Sequence, residues 1–412
     1  MPSVTDNSPH SAKEWLKLAS ASLGVAATCG SLSALFLRAL DWVTALRFER
    51  PYLVYALPLA GVCMASVYRS FGGLAGRGND LIVERIHQQN GPAEARMTPL
   101  IFGSTLVSHV CGASVGREGA AVQMGGGLAA LATRTTQLPE KSQRAVLVAG
   151  VAAGFASIFG TPLAGAVFAV EVATPGRPMW RLFPLAAGCA FFADMTAHWW
   201  GITHAVYTIP QTDWPQWLRI PFLGGVFVAA VAFGLAGRMF IQMQHGIRTW
   251  HEASRLPWWA PPFFGGALLV GIGCLPDMGD YLGLGTWNPS PSAVTIPSAF
   301  AENGAQAWSW LAKLSLTAIS IGSGFKGGEV TPLFFVGATL GNALAGPLGL
   351  SVALSAGLGF VAVFAGAAHT PLAGAFLAAE LFGWRLFPLF AAACWLAHWS
   401  CGKRGLYASQ ER

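Results

Sequence analysis

Long stretches without charged residues constrain how this chain can fold more than any other feature. Leu100 to Val115, Leu182 to Trp200, Ile220 to Ala236 and Val352 to Ala368 contain almost no Asp, Glu, Lys or Arg. Several of them approach the roughly 20 residues that a helix needs to cross a bilayer. Only 11% of the 412 residues are charged and 53% are hydrophobic. The sequence therefore predicts an all-α integral membrane protein that crosses the bilayer many times.

Charge and cysteine usage exclude several other classes of protein. The net charge of +6 comes from basic residues scattered over loop-like positions, which suits membrane orientation and predicts no binding of nucleic acid. The seven Cys residues form no Cys-x-x-Cys pattern, and Cys394, His398 and Cys401, which share a helical face, are interpreted as packing residues. Neither GxxxxGK[ST] nor HExxH occurs. We therefore predict no cofactor and no metal.

Internal similarity divides the chain into two halves. Thr161 to Ala166 and Thr370 to Ala375 both read TPLAGA, 209 residues apart, and Glu171 and Glu380 follow the two hexamers at the same distance. Duplicated halves are typical of transporters, and an odd number of spans per half inserts the second copy upside down. The repeat therefore predicts two inverted halves with the substrate site between them.

This repeat gives the predicted domain boundaries. A cytoplasmic N-terminal segment occupies 1–15, the first membrane repeat 16–205, the second membrane repeat 206–402 and a C-terminal tail 403–412. Each boundary separates polar sequence from apolar sequence or one copy of the repeat from the other.

Apolar segments interrupted by Gly and Pro recur in both halves. They lie at 72–78, 112–127 and 154–162 in the first half, and at 322–332 and 337–347 in the second. Non-helical backbone at membrane depth is tolerated only where protein or a water-filled cavity satisfies its polar groups. A helix that begins at such a break points free N–H groups at an anion. We therefore predict many tilted and broken helices with the ion path between them; the alternative for any single glycine is close helix packing.

Glu118 is the carboxylate with the clearest transport chemistry. It lies in CGASVGREGAAVQMGGG, after a long apolar segment, where an ionisable side chain is costly. When ionised it can occupy a helix-terminus pocket as a transported anion would, and when protonated it loses that attraction and can move away. The alternative is a structural role, in which Glu118 pairs with Arg117 or caps a helix.

Two motifs carry a family resemblance. GREGAAVQMG at 116–125 and GGEVTPLFFVGATLG at 327–341 resemble the CLC superfamily of chloride channels and antiporters, and the resemblance covers nearly the whole chain. It implies a CLC-like inverted repeat and places the gating glutamate of that family at Glu118. Ala120 stands where the family motif usually has proline, a change that alters a helix start but leaves the carboxylate.

Departures from the chloride-transporting members indicate a branch of that superfamily. GRGNDLI at 76–82 places Asn79 where those members have an anion-binding serine, and GGEVTP at 327–332 stands where they have a motif like GGIFAP. Val172 occupies the position of a second, intracellular proton-transfer glutamate. These features resemble the fluoride/proton antiporter branch.

The branch resemblance implies which further residues form the anion and gating region. Fluoride is small and strongly hydrated, so its site must replace water with good hydrogen-bond donors. The amide of Asn79, the hydroxyls of Thr331 and Tyr407, and the backbone N–H groups near Glu329 and Val330 can supply them.

Each of these side chains has a structural alternative. The alternative for Asn79 is a helix cap before LIVERIH, that for Thr331 is an N-terminal cap, and that for Tyr407 is an anchor at the membrane interface. The ring edges of Phe334 and Phe335 can border the anion path, or these residues can simply pack.

The resulting prediction is a fluoride/proton antiporter that exports fluoride from the cytoplasm and confers fluoride resistance. Glu118 is its gating and proton-coupling residue, and Glu329 lies either on the proton route or in an ion pair with Lys326. The protein is predicted to be a secondary active transporter, not an enzyme, since no nucleophile–base spacing is visible. It is placed as a multi-pass protein in the inner (plasma) membrane, and the resemblance implies a homodimer. The alternative is a chloride/proton antiporter or chloride channel of the same superfamily.

Overall fold

The computed structural model describes residues 12–88, 93–205, 207–209 and 219–410. Within these ranges the regular structure is helical, apart from one isolated β-bridge. The α-helices, in chain order, are α1 Ala12–Glu49, α2 Leu57–Val67, α3 Asn79–Gln88, α4 Met97–Val110, α5 Glu118–Thr136, α6 Glu140–Phe159, α7 Pro162–Glu171, α8 Phe183–Trp199, α9 Ile220–Ala253, α10 Ala260–Gly273, α11 Ser309–Gly322, α12 Val330–Ala345, α13 Val352–Ala368, α14 Pro371–Phe382 and α15 Phe387–Cys401.

The predicted N-terminal segment is covered only in part, because residues 1–11 lie outside the described ranges. Helix α1 begins at Ala12, inside the predicted segment. The predicted boundary between the halves, at 205 and 206, adjoins residues that also lie outside the described ranges.

Helix length separates two groups of apolar helices. Helices α1, α6 and α9 contain stretches long and apolar enough to cross a bilayer, whereas α4, α7, α10, α12, α13 and α14 have only 10 to 17 residues. A span needs roughly 20 residues. Each shorter helix therefore crosses only part of the bilayer, or crosses it together with the next helix in the chain. Both cases agree with the predicted broken helices.

The same break occurs at the same place in both halves. Helix α6, which contains the apolar stretch from Ala145 onwards, ends at Gly160, where the backbone is left-handed with φ of 69°. Helix α7 then starts at Pro162. In the second half α13 ends at His369, with φ of 55°, and Pro371 starts α14. Proline suits the first turn of a helix, where its missing N–H has no intrahelical partner. The repeat is thus visible in backbone conformation as well as in sequence.

Reciprocal capping shows that the two copies run in opposite directions. The carboxylate of Glu171, the last residue of α7, accepts hydrogen bonds from the backbone N–H groups of residues 372 and 373 at the start of α14, at 3.1 and 2.8 Å. The carboxylate of Glu380, near the end of α14, accepts from residues 163 and 164 at the start of α7, at 2.9 and 2.8 Å. Helices α7 and α14 are therefore antiparallel, and the predicted inverted repeat is confirmed.

The predicted interruption at 337–347 lies at the end of that segment. Helix α12 continues through Gly337 and ends at Ala345, and the chain turns at Gly346 and Pro347. A Cβ at Gly337 would overlap the backbone carbonyl of Gly359 in α13. The small residue is needed there for close helix packing rather than for a bend.

Candidate functional site

Two glycine-rich loops, one from each half, contact each other through their backbones. The backbone N–H of Gly116 donates to the carbonyl of Gly328 at 2.5 Å, and the N–H of Gly328 donates to the carbonyl of Gly116 at 2.7 Å. A Cβ on Gly116 would lie 2.8 Å from Pro332, and one on Gly328 would lie 2.5 Å from the backbone nitrogen of Gly119. Only glycine allows this approach. The contact joins the starts of α5 and α12, the two helices that carry the paired motifs.

The carboxylate of Glu118 lies at the N-terminus of α12. Its Oε2 accepts a hydrogen bond from the backbone N–H of Thr331 at 3.0 Å, a short one from the Thr331 hydroxyl and one from the backbone N–H of Arg117 at 3.3 Å. The guanidinium Nε of Arg117 donates to Oε1 at 3.2 Å. The Glu118 side chain is only 1% exposed. A buried carboxylate is therefore held by donors from both halves of the chain.

This position has the chemistry of an anion site. The first N–H groups of a helix have no intrahelical partner and carry the positive end of the helix dipole. Such ends bind anions readily. Here the anion that binds is the protein's own carboxylate, so the structure brings together Glu118 and Thr331, two of the residues that the sequence predicts for the site.

A cavity of ≈ 270 Å³ reaches this region from one side; we call it the asparagine cavity. Asn79, Glu329 and Tyr407 line it. Asn79 and Glu329 also face the residue after Glu118, since the Cβ position of Gly119 is 3.0 Å from the Asn79 Nδ2 and 3.1 Å from the Glu329 Oε2. Three predicted site residues thus surround one cavity.

Polar atoms in the asparagine cavity have few partners within the described part of the chain. The amide of Asn79 lies beside the carboxylate of Glu329, and neither its two polar atoms nor the Glu329 Oε2 has another hydrogen-bond partner there. Asn79 is the first residue of α3, yet its side chain makes no capping contact. Buried polar groups are normally satisfied. These atoms are therefore available to an ion or water in the cavity, and the helix-cap alternative for Asn79 is not what the geometry gives.

Tyr407 is placed by a docked tail. The N–H of Leu406 donates to the carbonyl of Ala367 at 2.8 Å, and the N–H of Ala408 donates to the Asp80 carboxylate at 2.7 Å. The side-chain amide of Gln410 donates to the Val172 carbonyl at 2.9 Å. Tyr407 itself is only 4% exposed. It lies inside the protein beside the cavity, away from an interfacial anchoring position.

Lys326 and Glu329 do not form an ion pair within the described residues. The Lys326 ammonium donates to the carbonyl of Gly76 at 3.3 Å and lies 4.5 Å from the centre of the Tyr68 ring. Both Lys326 and Glu329 line the asparagine cavity. The lysine is thus held by a carbonyl and an aromatic face, which leaves the glutamate directed at the cavity.

A second cavity lies on the other side of Glu118; we call it the arginine cavity. It has two adjoining lobes of ≈ 30 and ≈ 460 Å³ that share Arg117, His204 and Tyr207. Glu118 and Thr331 line the smaller lobe. The hydrogen-bonded pair of Glu118 and Thr331 therefore stands at the inner end of this cavity.

The two cavities lie at opposite ends of α14. That helix follows the end of α13, where the carbonyls of Ala367 and Ala368 hold the tail that carries Tyr407. At its other end, Leu381 lines the arginine cavity. The Glu118 site is consequently placed between openings on two different faces of the protein.

The two phenylalanines of α12 have different surroundings. Phe334 lines the arginine cavity and stacks on Phe360, with 4.0 Å between ring centres. Phe335, which the sequence assigns to the anion-binding region, lies against Tyr281 and under the Lys313 ammonium at 5.2 Å, and it lines neither cavity. Val330, at the first position of α12, is buried and lines neither cavity.

Sequence reasoning missed two residues of the arginine cavity. His204 and Tyr207 follow the end of α8 in an irregular segment with no motif. Their proximity to Glu118 depends on tertiary packing alone. No spacing pattern in the sequence signals it.

Comparison with known proteins places the chain in a family. Residues 59–402 match the family model described as "Voltage gated chloride channel". A protein of Pseudomonas syringae pv. tomato named "Chloride/fluoride channel protein" is 43% identical over 99% of this chain and 88% of its own length. The chain belongs to the CLC family. This CLC protein is accordingly a multi-pass membrane protein of a family of ion transporters and channels, as the motifs predict.

Other relatives and solved structures agree with that assignment. The "H(+)/Cl(-) exchange transporter ClcA" of Cronobacter sakazakii is 28% identical over 76% of this chain and 69% of its own length. A crystal structure of a CLC-type fluoride/proton antiporter superposes with a TM-score of 0.91 at 31% identity, over 98% of this chain and 100% of that one. A slow cyanobacterial Cl−/H+ antiporter gives 0.76 at 19% identity, over 96% and 95%, which shows the shared fold. The predicted resemblance to the fluoride/proton antiporter branch is confirmed.

Proposed function

We propose that this CLC protein is a secondary active fluoride/proton antiporter that exports fluoride from the cytoplasm in exchange for protons. The observation that carries the proposal is the carboxylate of Glu118, which is held by the N–H and hydroxyl of Thr331 where a transported anion would bind. Likeness to a CLC-type fluoride/proton antiporter over 98% of the chain supports it.

The donors around the site suit a small, strongly hydrated anion. Fluoride gives up its water only where short, directed hydrogen bonds replace it. The Thr331 N–H and hydroxyl bind at one end, and the unsatisfied amide of Asn79 and the buried Tyr407 line the cavity that leads there. Fluoride enters through the asparagine cavity and passes these donors in turn.

Proton coupling follows from competition for one position. An arriving anion and the ionised carboxylate of Glu118 repel each other and compete for the same hydrogen-bond donors on Thr331. Protonation from the arginine cavity cancels the charge, so Glu118 leaves the helix terminus and fluoride takes its place. Return of the ionised side chain expels the anion, and the proton leaves toward the asparagine cavity, where Glu329 is the nearest predicted carrier.

The distribution of basic residues supports one orientation of the protein in the membrane. Arg77, Arg248 and Lys326 line the asparagine cavity, and Lys403 and Arg404 follow the end of α15 on the same side. Loops rich in Lys and Arg remain in the cytoplasm. The asparagine cavity therefore opens to the cytoplasm of a cell with an inner (plasma) membrane, and transport toward the arginine cavity is export.

A fluoride-flux measurement tests the proposal directly. Proteoliposomes loaded with fluoride are diluted into fluoride-free buffer, and release is followed with a fluoride-selective electrode with and without an inward proton gradient. Fluoride release that the proton gradient accelerates, with matching proton uptake, is the expected result. Faster chloride than fluoride movement under the same gradients would favour the alternative function, a chloride transporter. One relative, named "Chloride/fluoride channel protein", has both ions in its name.

Asn79→Ser is expected to reduce the preference for fluoride over chloride. The serine hydroxyl replaces a longer amide whose donors face the cavity. Loss of one hydrogen bond, worth roughly 1.4 kcal/mol, corresponds to about a tenfold fall in the ratio of fluoride to chloride flux. Asn342→Ser is the matched control, because that amide bonds to the carbonyls of Ala299 and Ala301 and lines neither cavity. An unchanged ratio in Asn79→Ser would remove this residue from the site.

Thr331→Val is expected to weaken fluoride binding while Thr331→Ser retains it. Valine keeps the shape of the side chain and the backbone N–H but removes the hydroxyl that now reaches Glu118. A hydrogen bond to a charged group contributes about 1.5–3 kcal/mol, so the half-saturating fluoride concentration rises about 10- to 100-fold. Equal fluoride dependence of the two variants would show that the hydroxyl does not bind the ion.

The remaining parts of the proposal concern organisation and physiology. The two repeats over 16–205 and 206–402 each supply half of the ion path, and the active form is a homodimer with one path in each subunit. Cells that contain the protein resist fluoride, and the loss of that resistance on deletion is the corresponding growth test.

A further inference from the structure

A cluster of one carboxylate and two imidazoles lies beside the arginine cavity, which one of the imidazoles lines. Asp194 and His198 are four residues apart on α8 and therefore share a helix face. His204 returns to them from the segment after the helix. One ligand atom from each residue lies within 4.8 Å of the others. We propose that Asp194, His198 and His204 form a site for a divalent transition-metal ion such as Zn²⁺, and that the ion slows transport by fixing His204.

The distances are close to those of a coordinated metal. The Asp194 Oδ1 is 3.4 Å from the His198 Nδ1 and 3.8 Å from the His204 Nε2. Zn–N and Zn–O bonds of about 2.0–2.2 Å in a tetrahedron put neighbouring ligand atoms about 3.4 Å apart. Only a small rotation is needed. His198 is the group free to make it, since its side chain is 51% exposed.

Two of the three ligand atoms make no hydrogen bond to the described residues. The Asp194 Oδ1 and the His204 Nε2 are buried without a hydrogen-bond partner among the described residues. The His204 ring is also hydrogen-bonded to the backbone of Ile158, the kind of contact that orients a ligating imidazole. The His198 Nδ1 lies 3.0 Å from the Asp194 carbonyl, an ordinary helix contact that the metal would replace.

Two imidazoles and one carboxylate select the kind of ion. Imidazole suits Zn²⁺, Cu²⁺ and Ni²⁺, whereas Mg²⁺ and Ca²⁺ prefer oxygen ligands. Three protein ligands leave a fourth position for water, as in open zinc sites. The sequence predicts no metal for this chain because it contains neither Cys-x-x-Cys nor HExxH, and this cluster has neither pattern.

The connection to transport runs through His204. Its side chain lines both lobes of the arginine cavity, together with Arg117, and the smaller lobe contains Glu118. A bound cation fixes the imidazole and adds positive charge on the route by which Glu118 exchanges protons. This consequence rests on the proposed antiport, but binding of the metal does not.

Binding is tested with the purified full-length protein in detergent, titrated with ZnCl₂ in competition with a chromophoric chelator. Wild type is expected to bind one Zn²⁺ per chain, and His198→Ala and Asp194→Asn to bind at least tenfold more weakly. His251→Ala is the control, since that histidine lies in the last turn of α9, outside the cluster. MgCl₂ is expected not to compete. Wild-type affinity in both cluster variants would overturn the site.

The effect on transport is a separate measurement. External ZnCl₂ is expected to slow ion flux in wild-type proteoliposomes and to have no effect on flux through His198→Ala. Without zinc this variant should transport as wild type does, since His198 lines neither lobe of the arginine cavity. Zinc binding without slowed flux would overturn the inhibitory role and keep the site. If the protein proves to carry another anion, the chelator competition still decides whether the metal site exists.

Discussion

Glu118→Gln is expected to abolish proton-coupled fluoride movement. The amide has nearly the size of the carboxylate, and its oxygen can still accept from the Thr331 N–H. It can neither carry a proton nor change charge. The helix terminus therefore holds a neutral group permanently, and an arriving anion no longer exchanges with a proton. Of all the substitutions considered, this one has the largest expected effect on transport.

The measurement follows fluoride with a selective electrode and protons with a pH-sensitive dye in the same proteoliposomes. Proton movement driven by a fluoride gradient is expected to fall to the level of protein-free liposomes in Glu118→Gln. Glu252→Gln is the matched control, because that carboxylate is 63% exposed at the end of α9 and pairs with Arg248. An unchanged melting temperature shows that the fold survives. Coupled transport at wild-type rates in Glu118→Gln would refute the mechanism.

The sequence predicts the inverted fold because the repeat leaves identical hexamers at Thr161 and Thr370, each with a following glutamate. Local signals at Gly160 and Pro162 locate the break between α6 and α7. Within the interrupted segment predicted at 337–347 the helix ends only at Ala345, since a glycine such as Gly337 that packs against Gly359 looks the same in sequence as a glycine that bends the chain. Local composition identifies small residues but not what they contact.

The residues of the candidate site also differ in how far the sequence predicts their surroundings. Glu118 is suggested by its position beside a glycine-rich break that starts a helix, whereas Thr331 is suggested only by the resemblance of GGEVTP to the fluoride/proton antiporter branch. Tyr407 depends on the docking of a tail against Ala367, and Phe335 faces Lys313 because of the helical phase of α12. Contacts between distant segments are set by packing. A motif identifies the residues at one helix end but not the residues from distant segments that pack against that end.

Glu171→Leu is expected to destabilise the protein more than any other single change considered. Leucine leaves two N–H groups at the start of α14 without their acceptor, in a buried position where water does not replace it. Hydrogen bonds to a charged group contribute about 1.5–3 kcal/mol each, so the loss amounts to about 3–6 kcal/mol. Glu171→Gln retains an acceptor and should have a smaller effect.

Thermal unfolding of detergent-solubilised protein, followed by tryptophan fluorescence, measures this loss. Glu171→Leu should melt well below wild type or fail to yield monodisperse protein, and Glu140→Leu, at an exposed helix start, should melt near wild type. A wild-type melting temperature in Glu171→Leu would show that the cap contributes little.

Glu380→Leu tests the symmetry of the arrangement, since it removes the reciprocal cap on α7. Because α7 and α14 belong to different copies of the repeat, the two caps join the halves on either side of the Glu118 site. If they act as one interface, the double variant loses less than the sum of the two single losses. Strict additivity would mean that each cap stabilises only its own helix start.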